Sequence, residues 1–351
     1  MTMERQLATI QRIEGLAPIE GADNILRARV MGWDVVVKKN EFKAGDPCVF
    51  FEIDSVLPEG LAWSEFMRPR GFRVKTVKLR GVLSQGLALP LDILTHGTEP
   101  EQIFVGDLGE GSDVTSFLGV TKYEPPTPGE SKGPNRIRGN LMGAFPSQVP
   151  KTDETRIQSA LACLHELAGQ EFYVTTKLDG TSATFFKNFD GELVVCSRNW
   201  AVKPDPPTVY YAMAEKYRLH KLPIGYAVQG EICGPGIQKN RLGLKEPDLF
   251  VFNVYNANEG EYLGFNRWQN FCEIHGLKTV PVEAVITGEF AKTYEHTREG
   301  WLEAAKGLYA GTKNRKEGIV VRPLVETYSE KLRGRLSFKV INNDYLLKDE
   351  P

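Results

Sequence analysis

Phe172-Tyr173-Val174-Thr175-Thr176-Lys177-Leu178-Asp179-Gly180 reads as an apolar strand that runs into a sharp turn, with a lysine at its end and a glycine to permit the bend. Alone, Lys-x-Asp-Gly is a weak signal, because a surface turn with a lysine has the same pattern. Its weight comes from the ordered set of motifs on its C-terminal side. These are Ser197-Arg198-Asn199, Gly230-Glu231-Ile232-Cys233-Gly234, Leu249-Phe250-Val251-Phe252-Asn253-Val254-Tyr255, Glu317-Gly318-Ile319-Val320-Val321-Arg322 and Ser337-Phe338-Lys339-Val340-Ile341. Around them the periodicity predicts strands at Phe172 to Lys177, Ala183 to Lys187, Leu193 to Arg198, Tyr226 to Ile232, Leu249 to Tyr255, Gly318 to Arg322 and Leu336 to Ile341. Helices are expected at Val209 to Tyr217, Arg267 to His275 and Arg298 to Leu308. A further helix, capped by Thr152 or Asp153 and ended by Gly169, is expected to carry Ile157, Leu161, Leu164 and Leu167 on one side.

This ordered set resembles the nucleotidyltransferase motifs shared by ATP-dependent ligases and mRNA-capping guanylyltransferases, from about Phe172 onward. The resemblance implies that Lys177 is the nucleophile that attacks the α-phosphate of ATP. Such an amine must be deprotonated, so its pKa has to fall, and nearby cations such as a metal ion and Lys339 would lower it. Nucleotidyl transfer calls for alignment and for cations around the phosphates, here Lys339, Arg198 and a divalent metal. By resemblance Glu317 would hold Mg²⁺ or Mn²⁺, directly or through water. Glu231 corresponds to the carboxylate that accepts from the adenosine ribose, with metal contact as its second reading. Phe252, with Phe250 beside it, is the aromatic candidate for stacking on adenine, and a core role is the alternative for one of the two. Arg198 would contact the ribose or a 5′-phosphate; the alternative is a plain surface arginine. Asp179 is assigned to orienting Lys177 or binding a metal-bound water. Within the glycine-rich, basic segment Gly234 to Arg241, Lys239 and Arg241 are candidates for a phosphate path, and a simple hairpin loop is the alternative. One departure stands out. Related ligases often carry two lysines, one residue apart, in the last motif, whereas here Ser337 occupies the earlier position, leaving Lys348 or Arg335 to compensate.

Upstream, from Leu7 to about Leu118, short alternating segments such as Ala28-Arg29-Val30, Asp34-Val35-Val36-Val37 and Cys48-Val49-Phe50-Phe51-Glu52-Ile53 are punctuated by Gly32, Gly45-Asp46-Pro47 and Pro58-Glu59-Gly60. That is a small β domain. Lys38 to Asp46 resembles the loop before a barrel strand in OB-type nucleic-acid modules, a generic barrel turn being the alternative. Between Tyr123 and Pro150 prolines and glycines replace any apolar period, marking a connector that also carries Lys132, Arg136 and Arg138. The expected fold class is α+β: an OB-like β-barrel domain (1–122), a linker (123–150) and a nucleotidyltransferase, ATP-grasp-like ligase domain built on antiparallel sheets (151–351).

Composition narrows the function classes. The 351 residues are 41% hydrophobic and 25% charged with a net charge of −2, so no global attraction to nucleic acid exists, although a local basic face is compatible with that balance. No apolar run is long enough to span a bilayer, and the N-terminus MTMERQ lacks the core of a secretory signal. Five scattered cysteines (Cys48, Cys163, Cys196, Cys233, Cys272) suggest neither a disulfide framework nor a thiolate zinc site. The five histidines lack metal-ligand spacing, and no Gly-x-x-x-x-Gly-Lys-Ser/Thr loop occurs. An intracellular, cytoplasmic, monomeric protein without membrane contact is expected. Because only ten residues follow Ile341 and the β domain comes first, the layout looks like the Deinococcus-type RNA ligases. That resemblance implies an ATP-dependent RNA ligase that seals 3′-hydroxyl/5′-phosphate nicks in a duplex with RNA on the 3′-hydroxyl side. A lysyl-AMP and a 5′-adenylated polynucleotide would be its intermediates. A DNA ligase or capping enzyme is the alternative, and a non-catalytic nucleic-acid-binding protein is the third.

Overall fold

The computed structural model describes residues 6–96, 108–123, 141–205 and 208–347, which fall into two compact units, 6–123 and 141–347. Lys132, Arg136, Arg138 and Lys348 lie outside the described residues.

In the first unit, the strands Ala8–Arg12, Pro47–Phe51 and Leu87–Leu89 form one antiparallel sheet with Pro47–Phe51 in the middle. A second sheet is the meander Gly15–Ile19, Ala22–Val30 and Trp33–Lys38. Successive side chains on a strand point to opposite faces. Accordingly Phe50 packs with Trp33, Val35 and Phe42, whereas Phe51 packs with Leu57, Met67 and Leu118. The continuous apolar run Cys48-Val49-Phe50-Phe51 is therefore a strand covered on both sides. The loop after Lys38 closes on itself: the Lys38 amide donates to Glu41 and the Lys43 amide to Asp46.

Two sheets build the second unit. One is seven-stranded and antiparallel, in the order Leu141–Ala144, Trp200–Val202, Leu193–Cys196, Thr181–Lys187, Tyr226–Cys233, Asp248–Asn256, Glu261–Tyr262. The other has the order Thr155–Arg156, Phe338–Ile341, Gly318–Pro323, Phe172–Lys177, Val282–Ile286, and only its first pair is parallel. Phe172–Lys177 ends in one sheet and, after the turn at Leu178 to Gly180, the chain enters the other as Thr181–Lys187. The turn is thus the seam between the sheets. Gly180 is required there because a Cβ would lie 2.3 Å from the Ile232 carbonyl oxygen. Helices Val209–Lys216, Phe265–Ile274 and Arg298–Ala304 cover the sheets, and the second and third bury Trp268 and Trp301 on their inner sides.

Two expectations are corrected. The helix over Ile157 to Leu167 is broken into the 3₁₀ turns Ile157–Ser159 and Leu161–Cys163 and the single α-turn Leu164–Leu167. Its intended caps are used elsewhere, Thr152 bonding the Ser182 hydroxyl at 2.8 Å and Asp153 pairing with Arg198, while Thr155–Arg156 is drawn into the sheet. The apolar residues still reach the core, and Ile157 and Leu167 are fully buried. Residues 141–150, expected in the linker, instead belong to the second unit: Leu141–Ala144 pairs with Trp200–Val202, and Val149 packs on Phe186.

Candidate active site

Sheet register assembles the site. Lys177 is the cross-strand partner of Gly318, which puts it beside Glu317. Val320 pairs with both Thr175 and Lys339, so Lys177, Thr175, Val320 and Lys339 share one face of the five-stranded sheet. In the other sheet Ser182 pairs with Glu231, bringing that carboxylate opposite the start of the strand that leaves the turn. Between the sheets lies a cavity of about 360 Å³ lined by Lys177, Asp179, Arg198, Glu231, Phe252, Glu317 and Lys339, together with Asp153, Glu154, Gln238 and Arg322.

Lys177 Nζ stands 2.7 Å from Glu317 Oε1. Tyr309, which the sequence did not single out, clamps the two strands: its hydroxyl donates to the Lys177 carbonyl and accepts the Glu317 amide, both at 3.1 Å. Phe252 sits at a register shift, because Gln229 pairs with Asn253 and Gly230 with Val251, so Phe252 is the extra residue of a bulge. Phe252 faces the cavity, while Phe250, next to Glu231 in the register, packs against the adjoining core.

The electrostatics differ from the sequence expectation. Burial pulls the Lys177 pKa down, yet Glu317, Glu231 and Asp179 outweigh it and the net shift is upward. Lys339 moves the other way, to about 7, through burial and then the charges of Lys177 and Arg156. Glu231 is pushed up to about 7, chiefly by burial, with Lys177 opposing and Glu317 adding to the rise. Asp179 is also raised by burial, against the hydrogen bond from Tyr345 and the charge of Arg241.

Arg241, expected on a phosphate path, is turned inward: its guanidinium meets Asp179 at 3.0 Å and lies 4.5 Å from the centre of the Tyr345 ring. Lys239 remains exposed on the same segment. Arg198 stands at the rim paired with Asp153. Ser337 has its own explanation. It faces Arg322 across the strands and accepts from its Nε at 3.0 Å, while the same guanidinium donates to the Phe252 carbonyl at 2.9 Å and to Glu154 at 2.6 Å. A buried arginine therefore fills the region where a second lysine was sought. Arg335 does not compensate: it is bound to Glu326 and Asn253 and does not line the cavity.

Comparisons with known proteins agree with this fold. An OB-fold domain model matches residues 7–91 and an RNA ligase model matches residues 170–341. No curated protein matches the chain. A Naegleria gruberi RNA ligase solved with pyrophosphate is 34% identical at a TM-score of 0.76, over 99% of both chains. A lysine-to-alanine mutant of that ligase with ATP and manganese is 34% identical at a TM-score of 0.75, over 97% of this chain and 98% of the other. A glutamate-to-alanine mutant with AMP and manganese is 33% identical at a TM-score of 0.75, over 98% of this chain and 99% of the other. The fold is that of a nucleotidyltransferase ligase with an N-terminal OB-fold module. Within that class, the chain belongs to the RNA ligase family.

Proposed function

We propose that the protein is an ATP-dependent RNA ligase that seals 3′-hydroxyl/5′-phosphate nicks in duplexes with RNA on the 3′-hydroxyl strand, by way of a lysyl-AMP on Lys177. The observation that carries this reading is the register that sets Lys177 Nζ 2.7 Å from Glu317 and shares its sheet face with Lys339. Support also comes from the Naegleria gruberi ligase, whose mutants were solved with ATP or AMP and manganese.

In the first step the Lys177 amine attacks the α-phosphorus, a phosphorus–nitrogen bond forms, and pyrophosphate leaves. The AMP then passes to a 5′-phosphate, and a 3′-hydroxyl expels it as the phosphodiester forms. Phe252 offers its face to adenine, Glu231 accepts from the ribose, and Lys339 with Arg198 compensates phosphate charge. Lys239, on the exposed segment, follows the nucleic-acid backbone. Asp179, held by Arg241, fixes the turn that carries the nucleophile.

Among the described residues no three His, Cys, Asp or Glu side chains are placed to enclose a metal ion. A hard cation held by one or two carboxylates, with water and phosphate oxygens completing its shell, needs no such cage. The set Glu317, Glu231 and Asp179 has the chemistry for it: burial first, and then the charges of Glu317 and Asp179, raise the Glu231 pKa against the pull of Lys177, and a cation would offset that repulsion. Mg²⁺ or Mn²⁺, when bound, supplies positive charge to the phosphate oxygens. Neutralising these carboxylates lowers the Lys177 pKa through the same interactions that now raise it.

We place the enzyme in the cytoplasm as a monomer, in keeping with five buried cysteines that form no disulfide. No helix among the described residues is long and apolar enough to cross a membrane.

Incubation with α-labelled ATP and Mg²⁺ or Mn²⁺, beside Lys177→Ala, is the test. Label on the wild type alone, stable to base and released by acid, is the expected result. Absence of label on folded protein that is not already adenylated would overturn it.

A further inference from the structure

The N-terminal unit holds a charged stretch that the active site does not use. From Phe66 to Leu91 the sequence carries Arg68, Arg70, Arg73, Lys75, Lys78 and Arg80 and no carboxylate, in a chain whose net charge is −2. A positive run set into a neutral or acidic chain is the electrostatic footprint of polyanion binding. The structure sorts these cations. Arg68 is bound by Glu65, and Arg73 meets Asp54 at 2.6 Å with its guanidinium 3.4 Å from the centre of the Tyr123 ring. Arg70, Lys75 and Arg80 are exposed and have no ion-pair partner among the described residues.

Arg80 adds an independent observation. Strands Val77–Leu79 and Val82–Ser84 form a hairpin in which Leu79 pairs with Val82, so Arg80 and Gly81 alone make the turn. Their φ angles are +49° and +81°. A two-residue turn with both φ angles positive is a type I′ turn, whose first position favours Asn, Asp or Gly. A long side chain is unusual there; Met31 takes the same position in the turn between Val30 and Trp33 and packs on the core, whereas Arg80 is exposed at its tip.

Arg70, Lys75 and Arg80 are spaced five residues apart, at most about 17 Å of extended chain per step. A duplex presents one charge per about 1.7 Å of its axis, so each cation can meet a phosphate without any base being read.

We infer that the Arg80 hairpin tip, with Arg70 and Lys75, is a sequence-independent docking surface for the phosphate backbone of duplex nucleic acid. The inference rests on the proposal above that the substrate is a nicked duplex.

The test uses the full-length protein and a fluorescent nicked duplex, with affinity measured by anisotropy over a salt series and self-adenylation with labelled ATP measured alongside. Arg80→Asn suits the turn better than arginine, so its thermal midpoint is expected to be no lower than that of the wild type. Its binding weakens, and the slope of log affinity against log salt becomes shallower by about 0.9. Combining it with Arg70→Ala and Lys75→Ala removes about three times that slope, whereas Arg80→Lys retains it. Adenylation is unchanged throughout. An unchanged slope in Arg80→Asn and in the combined variant overturns the docking surface and leaves nick binding standing. A wild type that adenylates itself yet binds no nicked duplex overturns the substrate reading, and this surface with it.

Discussion

Lys177 and Lys339 lie on one face of one sheet, and their surroundings push them in opposite directions. Lys177 has three carboxylates around it; Lys339 is half-buried, and the cations Lys177, Arg156 and Arg198 outweigh Asp153 around it. The consequence for stability has a definite sign. Lys339 titrates near 7 when folded and near 10.4 when unfolded, so between those values the unfolded chain binds more protons and stability rises with pH. Below about pH 7 the cost of burying the charge is felt in full. Lys339→Met is therefore expected to raise the thermal midpoint at pH 6, with a gain of at most a few kcal/mol on an order-of-magnitude basis, and to lose that gain by pH 10. The same variant should lose adenylation. Melting curves at the two pH values decide the matter: an equal change at both would show that Lys339 is not a charged group held at a cost. At this scale the sequence singled out Lys177, Glu231, Glu317 and Lys339, because each sits in a motif with its neighbours, and all four line one cavity. It gave no role to Arg322, quoted only as the end of a motif, nor to Tyr309 and Glu154, which carry no motif and reach the site only through the fold.

Elements hold the active groups by register, and the register depends on close backbone approach. Gly318 adopts φ +153°, and a Cβ on it would lie 2.0 Å from the Val340 carbonyl oxygen. Gly318→Ala is expected to force apart the strands that carry Glu317 and Lys339, destabilising the protein by about 3 kcal/mol or more and abolishing adenylation. Denaturant unfolding with labelled ATP checks it; wild-type stability would mean that the strands can shift without cost. The principal strands here were legible in the sequence, since Phe172–Lys177 and Gly318–Pro323 are apolar runs bounded by glycine or charge. Others were not. Val282–Ile286 comes directly after a proline and lies at the sheet edge with Val282 and Val285 exposed, so its pattern carries little amphipathic signal. The broken helix at Ile157 to Leu167 has helical spacing, but pairing of Thr155–Arg156 with Phe338–Lys339 took precedence over it. Phe252 shows the same limit: the sequence put an aromatic on the right strand, but the bulge that sets it at the cavity is a property of the paired strands.

At the scale of the whole molecule, each unit has apolar cores of its own, around Phe50 and Phe51 in the first and around Trp268 and Trp301 in the second. Deleting residues 1–122 is therefore expected to spare self-adenylation and to weaken nick sealing by at least tenfold, measured with labelled ATP and a nicked duplex in parallel. Equal loss of both steps would count against this division of labour. The second unit's sheet order has a temporal side. Phe338–Ile341, the last strand among the described residues, inserts between Thr155–Arg156 and Gly318–Pro323, strands made before it. During synthesis the chain emerges from its N-terminus, so Lys177 and Glu231 leave the ribosome more than a hundred residues ahead of Lys339. A nascent or truncated chain lacking that strand has Lys177 but an unfinished pocket, since Lys339 lines the same cavity. A chain released before residue 339 is therefore expected to take no label from α-labelled ATP.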